Sequence, residues 1–184
     1  MIPARGGSKR LKGKNKVFHN GLPLFMHSVK AAKNIPGETR VIVSTDDQDI
    51  MNYCHGEKIE IQKRSKILSL DYAAKQDVIV DVCKELWEKE FYIPEVIISL
   101  QANSPEVDSN LLIKSIESFE NLPKINGCKE LVCINANGKQ NGSIRIMTYK
   151  TVFQKTLSTY LGTFTKDLID IHTQSDLDSL KLKN

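Results

Sequence analysis

The stretch Ala4-Arg5-Gly6-Gly7-Ser8-Lys9-Arg10-Leu11-Lys12-Gly13-Lys14-Asn15 follows directly on Met1-Ile2-Pro3 and sets three glycines among five basic side chains. Glycine lets backbone N–H groups come close to phosphate oxygens, and Arg and Lys neutralise the charge, so the pattern suits a phosphate-binding loop. It is not a GxxxxGK[ST] loop, because Gly13-Lys14 is followed by Asn15, and it does not fit GxGxxG. A solvated basic loop and a nucleic-acid-binding tail stay open at this point.

Outward from this stretch the charge is uneven. Residues 1–37 carry eight basic side chains and no acid, whereas the rest carries 18 basic and 22 acidic ones, so the net charge of +4 belongs to the N-terminal segment. Such concentration points to a local polyanion such as a nucleoside triphosphate, not to a nucleic acid spread over a basic face. Phe18 is the one aromatic residue near the basic run, which leaves little for base stacking.

The 184 residues suit a single domain over 1–184. No apolar run reaches the roughly 20 residues of a membrane span, and the start does not read as a signal peptide. Cys54, Cys83, Cys128 and Cys133 have no CxxC spacing and read as reduced, partly buried thiols, which together suggest a cytoplasmic protein.

Short β-branched runs at 40–44, 60–62, 95–100, 130–134, 143–147 and 168–171 alternate with helical patterns at about 23–34, 46–56, 74–90, 108–121, 149–156 and 174–182. Asp108 or Ser109 is placed to cap the fourth helix, and Thr173 or Ser175 the last. This alternation predicts a three-layer α/β/α, Rossmann-like domain with a mostly parallel central sheet, whose ligands bind just past the carboxyl ends of the strands. Only Met1 and Ile2 precede the glycine loop, so the first strand is expected to be truncated to a stub, or residues of the native protein are missing.

The opening Ile2-Pro3-Ala4-Arg5-Gly6-Gly7-Ser8-Lys9, with Lys14-Asn15, closely resembles the signature of the sugar-acid cytidylyltransferases, which include the CMP-sialic acid (N-acylneuraminate) synthetases. Further matches follow in the family's order: VIVSTDD at 41–47, Arg64 with Leu68 and Asp71, LQANSP at 100–105, NGSIRI at 141–146, and IDIHT at 169–173 with Asp176-Leu177. The resemblance implies a nucleotidyltransferase domain that moves CMP from CTP to a 2-keto sugar acid, sialic or a related nonulosonic acid, and releases pyrophosphate. It implies Arg5 and Lys14 as catalytic residues on the triphosphate, with Ser8, Lys9, Asn15, Arg64 and Asp71 around the nucleotide. Gln101, Asn103 and Ser104 would face the sugar acid. Asp170 and His172 would stand at a Mg2+ ion, with Mn2+ as the alternative cofactor. The partners implied are CTP and the sugar acid, with no nucleic acid and no membrane.

The chain also departs from that pattern. His172 stands where a second metal-binding Asp is usual, and imidazole is a poorer ligand than oxygen for Mg2+. Glu106 replaces a residue near a site meant for anions. Only Asn135 to Gln140 lie between the ELVCI run and Asn141, where the family inserts a long excursion that serves the sugar pocket and the dimer, so the oligomeric state is left open. Two other functions therefore compete: a catalytically weak nucleotide-binding homologue without a complete sugar pocket, and a nucleotidyltransferase for another sugar or nucleotide.

Overall fold

The computed structural model describes residues 1–154 and 161–181. In chain order the elements are β1 (Ile2–Pro3), β2 (Phe18–His19), β3 (Leu22–Pro23), α1 (Leu24–Lys33), β4 (Ile42–Thr45), α2 (Gln48–Gly56), β5 (Glu60–Lys63) and α3 (Lys75–Glu90). After them come β6 (Val96–Leu100), α4 (Ser109–Glu120), β7 (Glu130–Ile134), β8 (Gln140–Thr148), α5 (Tyr149–Val152), β9 (Leu161–Thr165) and α6 (Gln174–Lys181).

β5, β4 and β1 form one set, all parallel, and β6, β8, β7 and β9 a second, mixed set. The sets join between β1 and β6, where the Met1 ammonium donates to the Ile98 carbonyl (2.6 Å) and Leu100 N–H to the Met1 carbonyl (3.1 Å). The central sheet thus runs β5-β4-β1-β6-β8-β7-β9, and among the described residues only β8 opposes the others. The mostly parallel α/β expectation holds; β1 is two residues long.

Both faces of the sheet are covered, which is why its strands read as continuous apolar runs. In β4, Val43 packs with Phe25 and Val29 of α1 and with Ile50 and Cys54 of α2, while the adjacent Ile42 packs with Val82 and Leu86 of α3 on the opposite face. In β8, Ile144 and Ile146 join the first layer, and Met147 meets Ile79 and Cys83 of α3. All four cysteines are buried and free. Asp47 caps α2 by accepting the Asp49 and Ile50 N–H groups, and Asp108 caps α4 through Leu111 N–H. Ahead of α6, Asp176 N–H donates to the Thr173 hydroxyl while the Asp176 carboxylate accepts the Thr173 and His172 N–H groups, a reciprocal capping box. No helix among the described residues is long and apolar enough to cross a membrane.

Three expectations change. The 168–171 run is not a strand. Its backbone partners are the carboxylate of Glu106, which accepts Ile169 N–H (2.6 Å), and Asn103, whose carbonyl accepts Ile171 N–H and whose side-chain amide donates to the Ile171 carbonyl, both at 2.8 Å. Glu106 is thereby tied to the backbone. The last strand is instead β9, an edge strand with alternating half-buried Gly162 and Phe164, whose polar composition conceals it from a search for apolar runs. The helix expected at 149–156 is the single turn α5 within the described residues, with 155–156 outside them, as is residue 182 of the last helix. Because the Asn103 side chain is the donor to the buried Ile171 carbonyl, Asn103→Ala is expected to destabilise the fold by about 1–3 kcal/mol, the range for a buried carbonyl left unpaired; chemical denaturation measures it.

A cavity of about 590 Å3 opens beneath Met1, between the starts of β4 and β6, lined by Val41, Leu86, Val96 and Ile116 among others. It lies at the end of the strands away from the glycine loop.

Candidate functional site

The carboxyl ends of the strands gather the polar residues. β1 delivers Ala4, whose N–H donates to the Ser44 carbonyl (2.9 Å) and whose carbonyl accepts the Thr45 hydroxyl (2.6 Å), so the loop leaves the sheet from a fixed point. Gly6 N–H donates to the Asp46 carboxylate (2.9 Å), and a Cβ at Gly6 would lie 2.6 Å from an Asp47 carboxylate oxygen, so any side chain there displaces the loop. The buried Asn15 donates to the Arg5 carbonyl (2.9 Å) and closes the loop on itself. Lys16 fastens the far side through Asp47 (2.9 Å) and Asp49 (2.7 Å). The acids of the VIVSTDD segment therefore anchor the basic loop.

The loop's cations fall into two groups. Arg5 and Lys9 pair with Asp71 at 2.9 and 2.5 Å, and the Lys9 hydrogen bond, followed by Arg5, holds the Asp71 carboxyl below its usual range. Lys14 and Arg10 turn toward His172, with Lys14 Nζ 3.5 Å and Arg10 Nη2 3.4 Å from its Nδ1. Nδ1 therefore acts as an acceptor, and burial, then Lys14 and Arg10, push the imidazole below its ordinary pKa and keep it neutral. Nδ1 of His172 thus faces two cations, with the Asp170 carboxylate also acting on the ring. Lys14 has no carboxylate partner among the described residues; burial, then Arg10, lower its pKa to about 8.

Asp170 lies beyond this pair. One of its oxygens, Oδ1, accepts the Ser143 hydroxyl (3.1 Å) and the Ser104 hydroxyl, both from fully buried residues. The other accepts no hydrogen bond among the described residues. A carboxylate held by one oxygen with the second open is a donor set that fits a hard divalent ion, which takes one protein oxygen and completes its shell with phosphate and water. No cluster of three metal-ligating side chains occurs among the described residues.

Gln101 follows β6. Its N–H donates to the Ser143 carbonyl (3.0 Å), its carbonyl accepts the Ser28 hydroxyl (2.9 Å), and its side-chain oxygen accepts from Lys75. The Asn141-Gly142 pair lies alongside. Asn141 ties the strand ends together through Asn135 and the Lys166 carbonyl, both at 2.9 Å, and Gly142 has a φ of +74°. A Cβ on Gly142 would stand 3.0 Å from Lys75 Nζ and 3.2 Å from Gln101 Oε1.

The structure thus brings Arg5, Lys9, Lys14, Asp71, Gln101, Asp170 and His172 to one edge of the sheet, with Ser8 in the same loop. Three other residues turn inward. Arg64 is buried against Ser44, donating to its carbonyl (2.8 Å) and hydroxyl (3.2 Å), and desolvation lowers its pKa to about 10, so it braces β4. Asn103 and Ser104 are buried and hold the 169–171 segment and Asp170. Lys75 and Asp46 were not singled out by sequence reasoning; the one signal for Lys75 is a cation at the first position of a long helix, where the helix dipole opposes it.

The pKa of Lys14 has a consequence for anion binding. Below about pH 8 the free amine is protonated and ready for phosphate; above it, binding must first recover the proton. Affinity for a phosphate-bearing anion is therefore expected to fall as pH rises past 8, by up to about tenfold per pH unit until the pKa of the complex is reached. Lys14→Arg, which stays charged, is expected to flatten that fall. Calorimetric titrations from pH 7 to 10 read both.

The cytidylyltransferase family matches residues 1–159. Pseudaminic acid cytidylyltransferase of Campylobacter jejuni is 33% identical over 121 residues, covering 65% of this chain and 51% of the relative. The 8-amino-3,8-dideoxy-manno-octulosonate cytidylyltransferase of a Shewanella species is 32% identical over 123 residues, covering 67% of this chain and 47% of its own. The chain spans about half the length of these curated relatives. Among solved structures, CMP:2-keto-3-deoxy-manno-octonic acid synthetase complexed with CTP superposes with a TM-score of 0.75 at 16% identity, over 99% of this chain and 95% of that one. A Mycobacterium tuberculosis protein in complex with manganese gives a TM-score of 0.65 at 12% identity, over 97% and 95%. At these identities the likeness is one of fold.

Proposed function

Because this chain belongs to the cytidylyltransferase family, we propose that it transfers CMP from CTP to a hydroxyl of a sugar acid of the nonulosonic type and releases pyrophosphate. The observation that carries the proposal is the pairing of a glycine loop whose Lys14 lacks a carboxylate partner among the described residues with a fixed Asp170 across the same strand ends. The names of the relatives that act on pseudaminic acid and an octulosonate, and of the neighbour solved with CTP, support the choice of substrates.

In this mechanism the hydroxyl oxygen of the acid attacks the α-phosphorus, the bond from the α-phosphorus to the oxygen shared with the β-phosphate breaks, pyrophosphate leaves with that oxygen, and the hydroxyl proton passes to water. Little covalent work falls to the protein, which positions the partners and stabilises charge. Lys14 and Arg10 receive the triphosphate, and neutral His172 fixes their direction. Arg5 and Lys9 are held on Asp71 until phosphate oxygens compete for them. Asp170 would hold Mg2+, which supplies further positive charge to the phosphates when bound; the neighbour crystallised with manganese favours a divalent ion in general. Gln101 faces the acceptor. Four free thiols suit the cytoplasm.

A second reading, a nucleotide-binding homologue with weak or no transferase activity, draws on one observation. The β7–β8 connection closes in a tight turn, Asn135 N–H donating to the Lys139 carbonyl and Gly138 N–H to the Asn135 carbonyl, both at 2.8 Å, so this connection sends no long segment over the acceptor side. Pyrophosphate release with CTP, Mg2+ or Mn2+ and a panel of sugar acids separates the two. Release with one acid is the expected result; CTP binding without release from any acid would favour the second reading. ATP or GTP bound as tightly as CTP would remove the cytidylyl assignment.

A further inference from the structure

Lys75 belongs to no part of the phosphate loop, yet its ammonium reaches the same cleft. It is the first residue of α3, it donates to the side-chain oxygen of Gln101, and it stands over Gly142, where any Cβ would press on it. The side chain as a whole is open to solvent, but surrounding protein, and then the Arg145 guanidinium, draw its pKa below the usual range while Asp170 acts the other way.

Its position is costly on electrostatic grounds. A cation at the start of a sixteen-residue helix opposes the helix dipole, and Ala74 before it offers no side-chain cap. Arg5, Lys9, Lys16, Arg40, Lys89 and Arg145 are all matched to carboxylates. Lys75 and Lys14 are not, among the described residues, and both feel the field of Asp170. The cleft therefore has cations awaiting anions on two sides. One side, Lys14 with Arg10 beside it, belongs to the glycine loop. The other is fixed by a neutral amide whose N–H groups remain for a second oxygen of the same ligand.

We propose that Lys75 binds the carboxylate of the acceptor, with Gln101 as its positioning partner and Gly142 as the floor that admits both. The proposal rests on the cytidylyl-transfer reading, because that reading supplies an acceptor with a carboxylate; the triphosphate is the ligand of the Lys14 side. A charged hydrogen bond to a carboxylate makes Lys75 a specificity-determining residue: it separates the acid from the same sugar without charge.

The test uses pseudaminate and 8-amino-3,8-dideoxy-manno-octulosonate, each with its methyl ester, titrated into the protein saturated with CMP so that no turnover occurs. Pyrophosphate release with CTP is followed in parallel. The unaltered protein is expected to prefer one acid over its ester by about tenfold or more, the range for a charged hydrogen bond. Lys75→Ala is expected to abolish that preference, Lys75→Arg to retain most of it, and both to bind CTP within about twofold of the parent, which also reports that they fold. Preference unchanged in Lys75→Ala would overturn the proposal, and continued pyrophosphate release would leave cytidylyl transfer standing. Failure of the unaltered protein to bind any acid, while it binds CTP, would overturn it too. Acid binding that depends on Lys75 without pyrophosphate release would uphold the carboxylate site and sink the transfer reading instead.

Discussion

Lys14→Ala is expected to weaken CTP binding about a hundredfold and leave cytidine binding within about twofold. The estimate follows from the charge-assisted hydrogen bonds that one ammonium offers to phosphate oxygens, each of about 1.5–3 kcal/mol. Lys14 should dominate because its rivals are engaged. Arg5 and Lys9 lie on Asp71, and binding has to pull them away, whereas Lys14 meets only the neutral nitrogen of His172. Burial also makes its charge more effective, since less water screens it. Isothermal titration with CTP, CMP and cytidine reads the result. Equal losses for all three ligands would mean that Lys14 does not face phosphate.

Asp170→Asn is expected to lower the rate of pyrophosphate release about a thousandfold, the upper end of what a single electrostatic group contributes to a transition state. Stability should barely change, because the amide oxygen of Asn can still accept the Ser104 and Ser143 hydroxyls. Asp170→Ala should lose as much activity and also about 1–3 kcal/mol of stability, since both buried hydroxyls lose their acceptor. Rates under single-turnover conditions, beside urea denaturation of both variants, separate the two contributions. A rate unchanged in Asp170→Asn would remove Asp170 from the chemistry.

Much of the scaffold was legible because its signals are local and periodic. The 3.6-residue stripe of Val78, Val82 and Leu86 marked α3, and the β-branched runs of β4, β6 and β7 marked strands buried on both faces. The glycine loop stood out as well, by its cluster of glycines and cations, although composition alone left a solvated loop and a nucleic-acid tail as alternatives. What stayed hidden depends on pairing at a distance. Ile169-Asp170-Ile171 has a strand's composition, yet its partners are the Asn103 amide and the Glu106 carboxylate, more than sixty residues away in sequence. β9 lacks the composition but gains its ladder from β7. That Arg64 braces β4 was not legible either, because the carbonyl and hydroxyl of Ser44 that meet its guanidinium lie twenty residues away in sequence. Lys75 sat inside a helix, where only its meeting with Gln101 across the sheet gives it meaning.

The reversed direction of β8 has a bearing on how this cleft could be remodelled. In a strictly parallel sheet, a loop that precedes a strand emerges at the edge remote from the ligand. Here the turn before β8 emerges at the ligand's edge, since β7 ends and β8 begins there, with Asn141 and Gly142 next to Gln101. Residues grafted between Asn135 and Gln140 would therefore grow straight over the acceptor without breaking a ladder, at a surface turn that tolerates insertion. That turn is the natural port for a designer who wishes to give this small scaffold a lid, a new acceptor or a second subunit to exchange with.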